Sequence, residues 1–350
     1  MTGDAPAVDL RSDTVTLPTP GMWERMRSAP LGDDGLEGDP SVRNLERYAA
    51  DLLGKEEGLY VPSATMGNLI AILTAAGRGE QVVAEANSHI YAAERGGAGL
   101  SGAFYLPIPG TRGAMDTGAL IHALDQERSG LPTALICLET THNNAGGVVL
   151  APEHMRGVHA AGTDRGIPVH LDGARLFNAA VALGVPVAAL AQHADTVTIC
   201  LSKGLSAPVG AVLAGSGARI RQGRAVRKML GGSQRQAGIM ASAGLEGLSA
   251  MTDRLRQDHA TAARLSRELN RLACGLTADT PDTNIVMVSV ADTPWGSDEW
   301  VERLRQAGVM VRAWTPKALR CVTHRHIDAP DIDAVVRAFG RVAAGTAAKA

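Results

Sequence analysis

The chain has 350 residues, enough to bury a large core and to form two domains. Its 34 basic and 36 acidic residues leave a formal net charge of -2, so we expect no nucleic acid as a partner. The first residues lack the basic and apolar regions of a signal peptide, and no apolar run reaches the roughly 20 residues that span a bilayer. We therefore expect a cytoplasmic protein that makes no contact with a membrane.

Strands and helices are predicted to alternate along most of the chain. The first forty residues, rich in glycine, proline and aspartate, are predicted to be irregular, and a helix follows over residues 44–53 and stops at Gly54. Short apolar strands are predicted at 58–61, 81–84, 103–108, 134–138, 169–172, 196–201 and 210–214. Their alternation with amphipathic helices predicts the α/β class with a mostly parallel, doubly wound sheet.

The pattern changes near residue 244. A long helical stretch is predicted over 244–273, and the segments after it favour a small α+β domain, with elements at 284–290, 300–307, 309–313, 318–322 and 331–343. We therefore predict a large α/β domain at 13–245, a smaller C-terminal domain at 246–350 and an N-terminal arm at 1–12.

Two charged residues follow successive predicted strands. Lys203 closes a run of β-branched residues that breaks at Gly204, where its amine is well placed to lose water, and Asp172 ends the preceding strand. Ligands of such sheets bind beyond the carboxyl ends of the strands. An amine and a carboxylate there match the needs of pyridoxal phosphate, whose aldehyde binds a lysine and whose ring nitrogen binds an acid. The alternatives are a surface lysine and a helix-capping aspartate.

Other residues fit the same cofactor. Ser63 and Thr65 lie where a strand passes into a helix, and the N-terminus of a helix binds phosphate. Arg175, three residues after Asp172, would reach the same side and could bond the phenolic oxygen of the cofactor. His89 could stack on the ring. Each has an ordinary alternative: a helix cap, a surface arginine and a structural histidine.

Several separated motifs together resemble the L-threonine aldolases of the low-specificity or L-allo-threonine type. These are pyridoxal-phosphate enzymes of the β-eliminating lyase group, with the aspartate-aminotransferase-like fold type I. The motifs stand in the right order at 9–14, 139–143, 170–180, 198–204 and 228–238, and the resemblance covers about residues 9 to 340. It implies a mostly parallel seven-stranded sheet with a smaller C-terminal α+β domain.

The resemblance implies a role for each matched position. The cofactor contacts are Lys203 as the attachment lysine, Asp172 at the ring nitrogen, His89 on the ring, Arg175, and the phosphate loop Ser63, Ala64 and Thr65. In the family, residues matched by Lys228 and Arg235 reach the phosphate from a neighbouring subunit. The substrate contacts are Ser12, Arg175 and Arg320 at the carboxylate and His142 near the β-hydroxyl. A homodimer or homotetramer with shared active sites follows from this likeness.

Two positions depart from the family pattern. Ala64 stands where the family usually has glycine, and Leu36 stands where many members have tyrosine. Cofactor binding is expected to survive both changes. The threo or erythro preference at Cβ and the physiological aldehyde stay open.

The resemblance implies retro-aldol cleavage of L-threonine, L-allo-threonine and other β-hydroxy-α-amino acids to glycine and an aldehyde. His142 or His89 is the candidate base. β-Elimination, racemisation and transamination are the alternatives with the same cofactor, and a non-catalytic binding module is a further one. His324 and His326 are expected on one face of a strand without a readable third ligand, so no catalytic metal is predicted.

Overall fold

The computed structural model describes residues 8–125 and 130–347, with the side chains of the last two left out. In these ranges the strands are β1 Val8–Asp9, β2 Glu57–Val61, β3 Gln81–Glu85, β4 Phe104–Ile108, β5 Gly110–Thr111, β6 Ala114–Met115, β7 Thr133–Glu139, β8 Val169–Gly173, β9 Thr196–Cys200, β10 Ala211–Gly215, β11 Thr277–Ala278, β12 Ile285–Ser289, β13 Val309–Met310, β14 Arg312–Thr315 and β15 Ala318–Val322.

The helices in the same ranges are α1 Pro20–Arg27, α2 Pro40–Leu53, α3 Ala64–Ala75, α4 Gly96–Ser101, α5 Thr117–Asp125, α6 Pro152–Thr163, α7 Leu176–Leu183, α8 Ala188–Ala191, α9 Gly217–Met229, α10 Gly238–Ala250, α11 Leu255–Asn270, α12 Ser297–Gln306 and α13 Ala329–Ala347. None of these helices combines the length and the apolar character that crossing a membrane requires.

The chain divides into two compact units. The larger unit is Leu17–Thr252, and the smaller joins the described residues up to Thr16 to those from Asp253 onward. The predicted domain bounds of 13–245 and 246–350, with an arm at 1–12, lie within a few residues of this division and stay a prediction. Residues 1–7 of that arm and 348–350 of the C-terminal domain lie outside the described ranges.

The larger unit is built on a seven-stranded sheet with the order β2-β10-β9-β8-β7-β3-β4. Neighbours from β9 to β4 are parallel, and β10 runs antiparallel to both β2 and β9. Every residue of β3, β8, β9 and β10 is buried, as expected when helices cover both faces of a sheet. The predicted α/β class with a mostly parallel seven-stranded sheet is therefore confirmed.

Helix α3 packs closely on the centre of this sheet. A Cβ atom on Gly67 would lie 2.8 Å from the Thr198 methyl group in β9, so glycine permits this approach. The next residue, Asn68, is thereby fully buried beside the ends of β8 and β9. Helix packing thus carries a polar side chain into the carboxyl edge of the sheet.

Two predictions about helices were wrong. The first forty residues, predicted to be irregular, contain α1. Met22 is the buried residue of this helix, so the sequence shows no apolar periodicity there. Thr19 caps the helix by accepting a hydrogen bond of 3.1 Å from the Met22 N–H. The stretch predicted as one helix over 244–273 is two helices, α10 and α11. No proline stands between α10 and α11 to signal the break in the sequence. The break coincides with the boundary between the two units.

The smaller unit holds a four-stranded antiparallel sheet in the order β11-β12-β15-β14, packed against α11, α12 and α13. Trp300 and Phe339 stack at 5.9 Å in its core, and the indole N–H of Trp300 donates to Thr293. His324 and His326 lie beyond the end of β15, so their predicted placement on a strand was wrong. The ring nitrogen Nε2 of His324 lies 2.8 Å from the Asp9 carbonyl oxygen.

Candidate active site

Asp172 lies at the carboxyl end of one strand, and Lys203 lies just beyond the carboxyl end of the adjacent parallel strand. Asp172 lies in β8 with 2% of its surface exposed, and its Oδ1 accepts the Ala174 N–H at 3.0 Å. Lys203 lies three residues beyond β9, in a turn closed by the Ser206 N–H donating to the Lys203 carbonyl at 2.9 Å. The structure therefore places both predicted residues at the ligand-binding edge of the sheet.

Asn68 links Asp172 to a buried polar network that the sequence analysis missed. Its amide nitrogen donates to Asp172 Oδ2 at 3.0 Å and to Glu94 Oε1 at 3.2 Å. Its carbonyl oxygen lies 3.0 Å from Nε2 of His170. The available signal was one polar residue on the otherwise apolar face of α3.

His89 lies on the loop after β3, at the start of a π-helix that spans Ile90–Glu94. Its Nδ1 lies 3.1 Å from Glu94 Oε1, and its backbone N–H donates to Glu139. The hydrogen bond to Glu94 raises the pKa of His89, supported by the charges of Asp172 and Glu139 against partial burial. Within the described part of the chain, Nε2 of His89 has no hydrogen-bond partner.

Atoms of His89, Glu94 and Asp172 lie within 4.8 Å of one another. Imidazole and carboxylate groups at this spacing can also bind a metal ion. Here the amide of Asn68 donates to both carboxylates, and Nδ1 of His89 lies within hydrogen-bond distance of Glu94, so hydrogen bonds account for the arrangement.

His142 lies on the loop after β7, with only 1% of its side chain exposed. Its Nε2 lies 3.1 Å from Glu85 Oε2, and its Nδ1 accepts the Ala145 N–H at 3.2 Å. Burial opposes a charge on this ring, but Glu85 and Glu139 raise the pKa of His142 above its ordinary value. Both ring nitrogens are engaged, so a proton can enter at Nδ1 only if the Ala145 bond breaks.

Glu139 connects the two histidine regions. It lies at the end of β7, and its carboxylate accepts the backbone N–H groups of His89 and of Asn143. Burial raises the pKa of Glu139. Nε2 of His142 lies 4.0 Å from this carboxylate. Sequence reasoning did not single out this glutamate, although it stands within a motif that carries the resemblance.

The predicted phosphate loop forms the start of α3. Ser63 is the N-cap, and its hydroxyl accepts the Met66 N–H at 3.2 Å. Ser63 and Thr65 are exposed and Ala64 is half-buried, so the first backbone N–H groups of the helix face an open surface. This geometry suits a phosphate group at the positive end of the helix dipole.

Arg175 caps the start of α7 and is 94% buried. Its Nη1 donates to the side chain of Asn143 at 3.3 Å. The guanidinium therefore lies near the loop after β7, which also carries His142. Arg175 therefore lies at the same carboxyl edge of the sheet as Asp172.

Lys228 and Arg235 line a separate cleft of about 390 Å³ in the larger unit. Arg227 pairs with Asp34 at 2.6 Å in this cleft, and Arg235 lies 3.5 Å from Asp33. The residues that line it, as far as the structure describes them, do not include Asp172 or Lys203. Leu36, which follows the lining residues Asp34 and Gly35 in the sequence, is 77% exposed.

Ser12 and Arg320 belong to the smaller unit. The Ser12 hydroxyl accepts the Thr14 N–H at 3.2 Å. Arg320 lies in β15 and is almost fully buried; its Nη1 donates to the Arg11 carbonyl at 3.4 Å, and its guanidinium lies 5.0 Å from the ring centre of Trp314. The backbone around Ser12 and the guanidinium of Arg320 are thus neighbours within that unit.

Residues 9–293 match the family of beta-eliminating lyases. The chain is 40% identical over 343 residues to a probable low-specificity L-threonine aldolase 2 of Arabidopsis thaliana, which covers 96% of this chain and 97% of that protein. It is 38% identical over 321 residues to the low specificity L-threonine aldolase of Escherichia coli K12, covering 91% and 93%. The resemblance stated from the motifs is confirmed.

Solved structures share the fold at low sequence identity. A threonine aldolase from Leishmania major superimposes with a TM-score of 0.80 at 18% identity, covering 96% of this chain and 99% of that one. A serine palmitoyltransferase from Sphingomonas wittichii superimposes with a TM-score of 0.78 at 18% identity, covering 98% and 88%. These likenesses confirm the predicted fold class, fold type I.

Proposed function

Because the chain belongs to the beta-eliminating lyase family, we propose that it is a pyridoxal-phosphate-dependent aldehyde-lyase of the threonine aldolase type. It cleaves L-threonine, L-allo-threonine and other β-hydroxy-α-amino acids to glycine and an aldehyde. The observation that carries this proposal is the buried Asp172 at the end of β8, next to the strand that leads into Lys203. The names of relatives about 40% identical over nearly the whole chain support the choice of reaction.

The residues present fit the cofactor. The buried carboxylate of Asp172 has the character that a protonated ring nitrogen requires, and the open start of α3 at Ser63, Ala64 and Thr65 suits its phosphate. Lys203 supplies the amine for its aldehyde. When bound, the cofactor draws electron density from the Cα atom of an attached amino acid.

Hydrogen bonds prepare Asp172 for this role. The Ala174 N–H and the Asn68 amide donate to its two oxygens, so the carboxylate is oriented before any ligand arrives. With the cofactor bound, Asp172 would accept the N–H of a protonated ring nitrogen.

Orientation of the substrate is the proposed task of Ser12, Arg175 and Arg320. We assign them to the carboxylate from the motif resemblance, and the burial of both arginines suits a charge-assisted bond. A carboxylate fixed by these residues would orient the substrate so that the bond from Cα to the hydroxyl-bearing carbon is the one that breaks.

Of the two candidate bases, His89 has the better geometry. Its Nδ1 is held by Glu94, and in the described residues Nε2 has no partner, so Nε2 can take the β-hydroxyl proton. Both nitrogens of His142 are already engaged. We therefore assign proton transfer to His89 and keep His142 as a residue that holds the loop near the β-hydroxyl.

Product analysis tests the proposed reaction, with β-elimination as the second candidate because the family description names it. Cofactor-loaded protein is incubated with L-threonine, L-allo-threonine and L-phenylserine, and the products are separated. We expect glycine and the matching aldehyde in equal amounts. Formation of 2-oxobutyrate from L-threonine without aldehyde would contradict the proposal and support elimination.

We also propose a homodimer or homotetramer in the cytoplasm. Lys228 and Arg235 line a cleft of their own, which suits the expectation that they serve the phosphate of a neighbouring subunit. Sedimentation of the loaded protein measures the assembly, and a fully active monomer would contradict this proposal.

A further inference from the structure

His89 and Glu94 stand at the two ends of one π-helical turn. Glu94 follows His89 by five positions, an offset that on an α-helix would place the two side chains about 140° apart. The wider π-turn, closed by the Arg95 N–H donating to the Ile90 carbonyl at 3.1 Å, brings them to one face. The result is the 3.1 Å contact between Nδ1 and Oε1. The π-helical backbone, a rare conformation, therefore permits the contact between His89 and Glu94.

The amide of Asn68 has a single chemically consistent orientation. Both neighbouring carboxylates accept hydrogen bonds, so the Asn68 nitrogen must face Glu94 and Asp172. Its oxygen then faces His170 and accepts the Nε2–H of that ring. Burial lowers the pKa of His170 to about 4, so the ring is neutral at pH 7 and its Nδ1 accepts from the Thr196 hydroxyl.

Proton positions are thus determined from Thr196 through His170 and Asn68 to Glu94. Glu94, with 8% of its side chain exposed, accepts the Asn68 amide N–H, and as a carboxylate it would accept the N–H of His89 as well. The ring hydrogen of neutral His89 must lie on Nδ1. Its Nε2 is then the nitrogen with a lone pair.

We propose that Glu94 is a positioning residue for His89, which fixes the ring and its Nδ1–H tautomer so that Nε2 exchanges the proton with the substrate. The tautomer is inferred from the contact with the Glu94 carboxylate, whereas the proton exchange rests on the proposed function. A carboxylate that orients an imidazole in this way is a recurring device in enzymes and metal sites. Nothing in the spacing of the motifs assigns this role to Glu94.

The charges that face His89 are those of Glu94, Asp172 and Glu139. Glu94→Gln removes the nearest of them and keeps the shape of the side chain. The His89 titration should therefore move to lower pH in this variant, because the protonated ring loses its hydrogen-bonded counter-charge. Glu24, which is 70% exposed and pairs with Arg27 on the surface, offers the matched control Glu24→Gln.

The test uses cofactor-loaded protein labelled with ¹⁵N in histidine, and NMR spectra recorded across pH. The His89 signals are identified by their loss in His89→Asn. We expect the Nδ1–H tautomer in the wild type, a titration at lower pH in Glu94→Gln and no change in Glu24→Gln. An Nε2–H tautomer, or a His89 titration that Glu94→Gln does not move, would overturn the proposal. If Glu94→Gln fails to fold, the wild-type tautomer decides alone.

Kinetics separate this inference from the proposed function. We expect Glu94→Gln to lower kcat by roughly 10- to 100-fold with little change in KM, because ring orientation matters in the reaction more than in binding. Glu94→Asp, which keeps the charge, should restore part of the loss. If the wild type releases no glycine but the NMR result holds, the positioning role stands and the reaction assignment fails.

Discussion

Two histidine–glutamate pairs of the larger unit, His89–Glu94 and His142–Glu85, have the same contact distance but differ in exposure. His89 and His142 each follow a strand of the central sheet, each lies 3.1 Å from a glutamate, and both contact regions share Glu139. His89 keeps 36% of its side chain exposed and one ring nitrogen without a partner among the described residues, whereas His142 is sealed at 1% with both nitrogens engaged. This contrast is why we propose His89 for proton transfer and His142 for holding its loop in place.

The largest expected effect is that of removing the lysine to which the cofactor is proposed to attach. Lys203→Ala should abolish the visible absorbance of the lysine-bound cofactor and reduce turnover below detection, because no other group in the motif supplies the amine. Absorbance spectra and an aldehyde assay measure both. Retained absorbance together with retained turnover would contradict the assignment of Lys203.

His89→Asn should lower kcat by about 10²- to 10⁴-fold, the usual contribution of a positioned acid or base. Stability should change little because the ring is one-third exposed. Initial rates and urea unfolding of the same sample give the two values. A variant that keeps wild-type kcat would show that His89 serves geometry alone.

His142→Asn should show the opposite balance. It removes the His142 contact of buried Glu85, which keeps Asn87 as a donor, and the acceptor of the Ala145 N–H. Leaving a half-buried N–H group unpaired costs about 1–3 kcal/mol. We expect a clear loss in the free energy of unfolding and a smaller loss in kcat than for His89→Asn. A variant as stable as the wild type but as slow as His89→Asn would reverse the two roles.

The smallest expected effect is a pH dependence of stability that belongs to the His142 region. The pKa of His142 is raised, so its contribution is complete below the ordinary histidine value and is lost as pH rises through the folded value. The pKa of Glu85 is lowered, so its contribution is present above the ordinary glutamate value and is lost as pH falls through the folded value. Between these limits the pair stabilises the fold.

Urea unfolding of the wild type and His142→Asn at a series of pH values measures this dependence. We expect the stability difference between the two proteins to be largest from just above the ordinary glutamate value to just below the ordinary histidine value. The difference should shrink at both ends of the range. A difference that is constant across pH would contradict the raised pKa of His142 and the lowered pKa of Glu85.

The sequence allowed the sheet and its two strand-end residues to be predicted because both signals are local. A short, largely apolar segment that ends at Asp172 and a run of β-branched residues that ends near Lys203 indicated the strands, and parallel strands share their carboxyl edge. The helix start at Ser63 carried an equally local signal. Each of these features depends on residues within a few positions of one another.

The polar network could not be predicted because its contacts are long-range or depend on irregular backbone. Asn68 meets Asp172 across 104 positions and His170 across 102, and His142 meets Glu85 across 57. Glu94 is close to His89 in sequence, but only the π-turn brings the two side chains together. Periodicity based on 3.6 residues per turn places them on different faces.

Every role proposed for the site residues depends on attachment of the cofactor at Lys203. Loaded protein is reduced with borohydride, which makes the bond between lysine and cofactor permanent, and is then digested and mapped by mass spectrometry. We predict the added mass of the reduced cofactor on the peptide that contains Lys203. Its stoichiometric attachment to any other lysine would contradict the account.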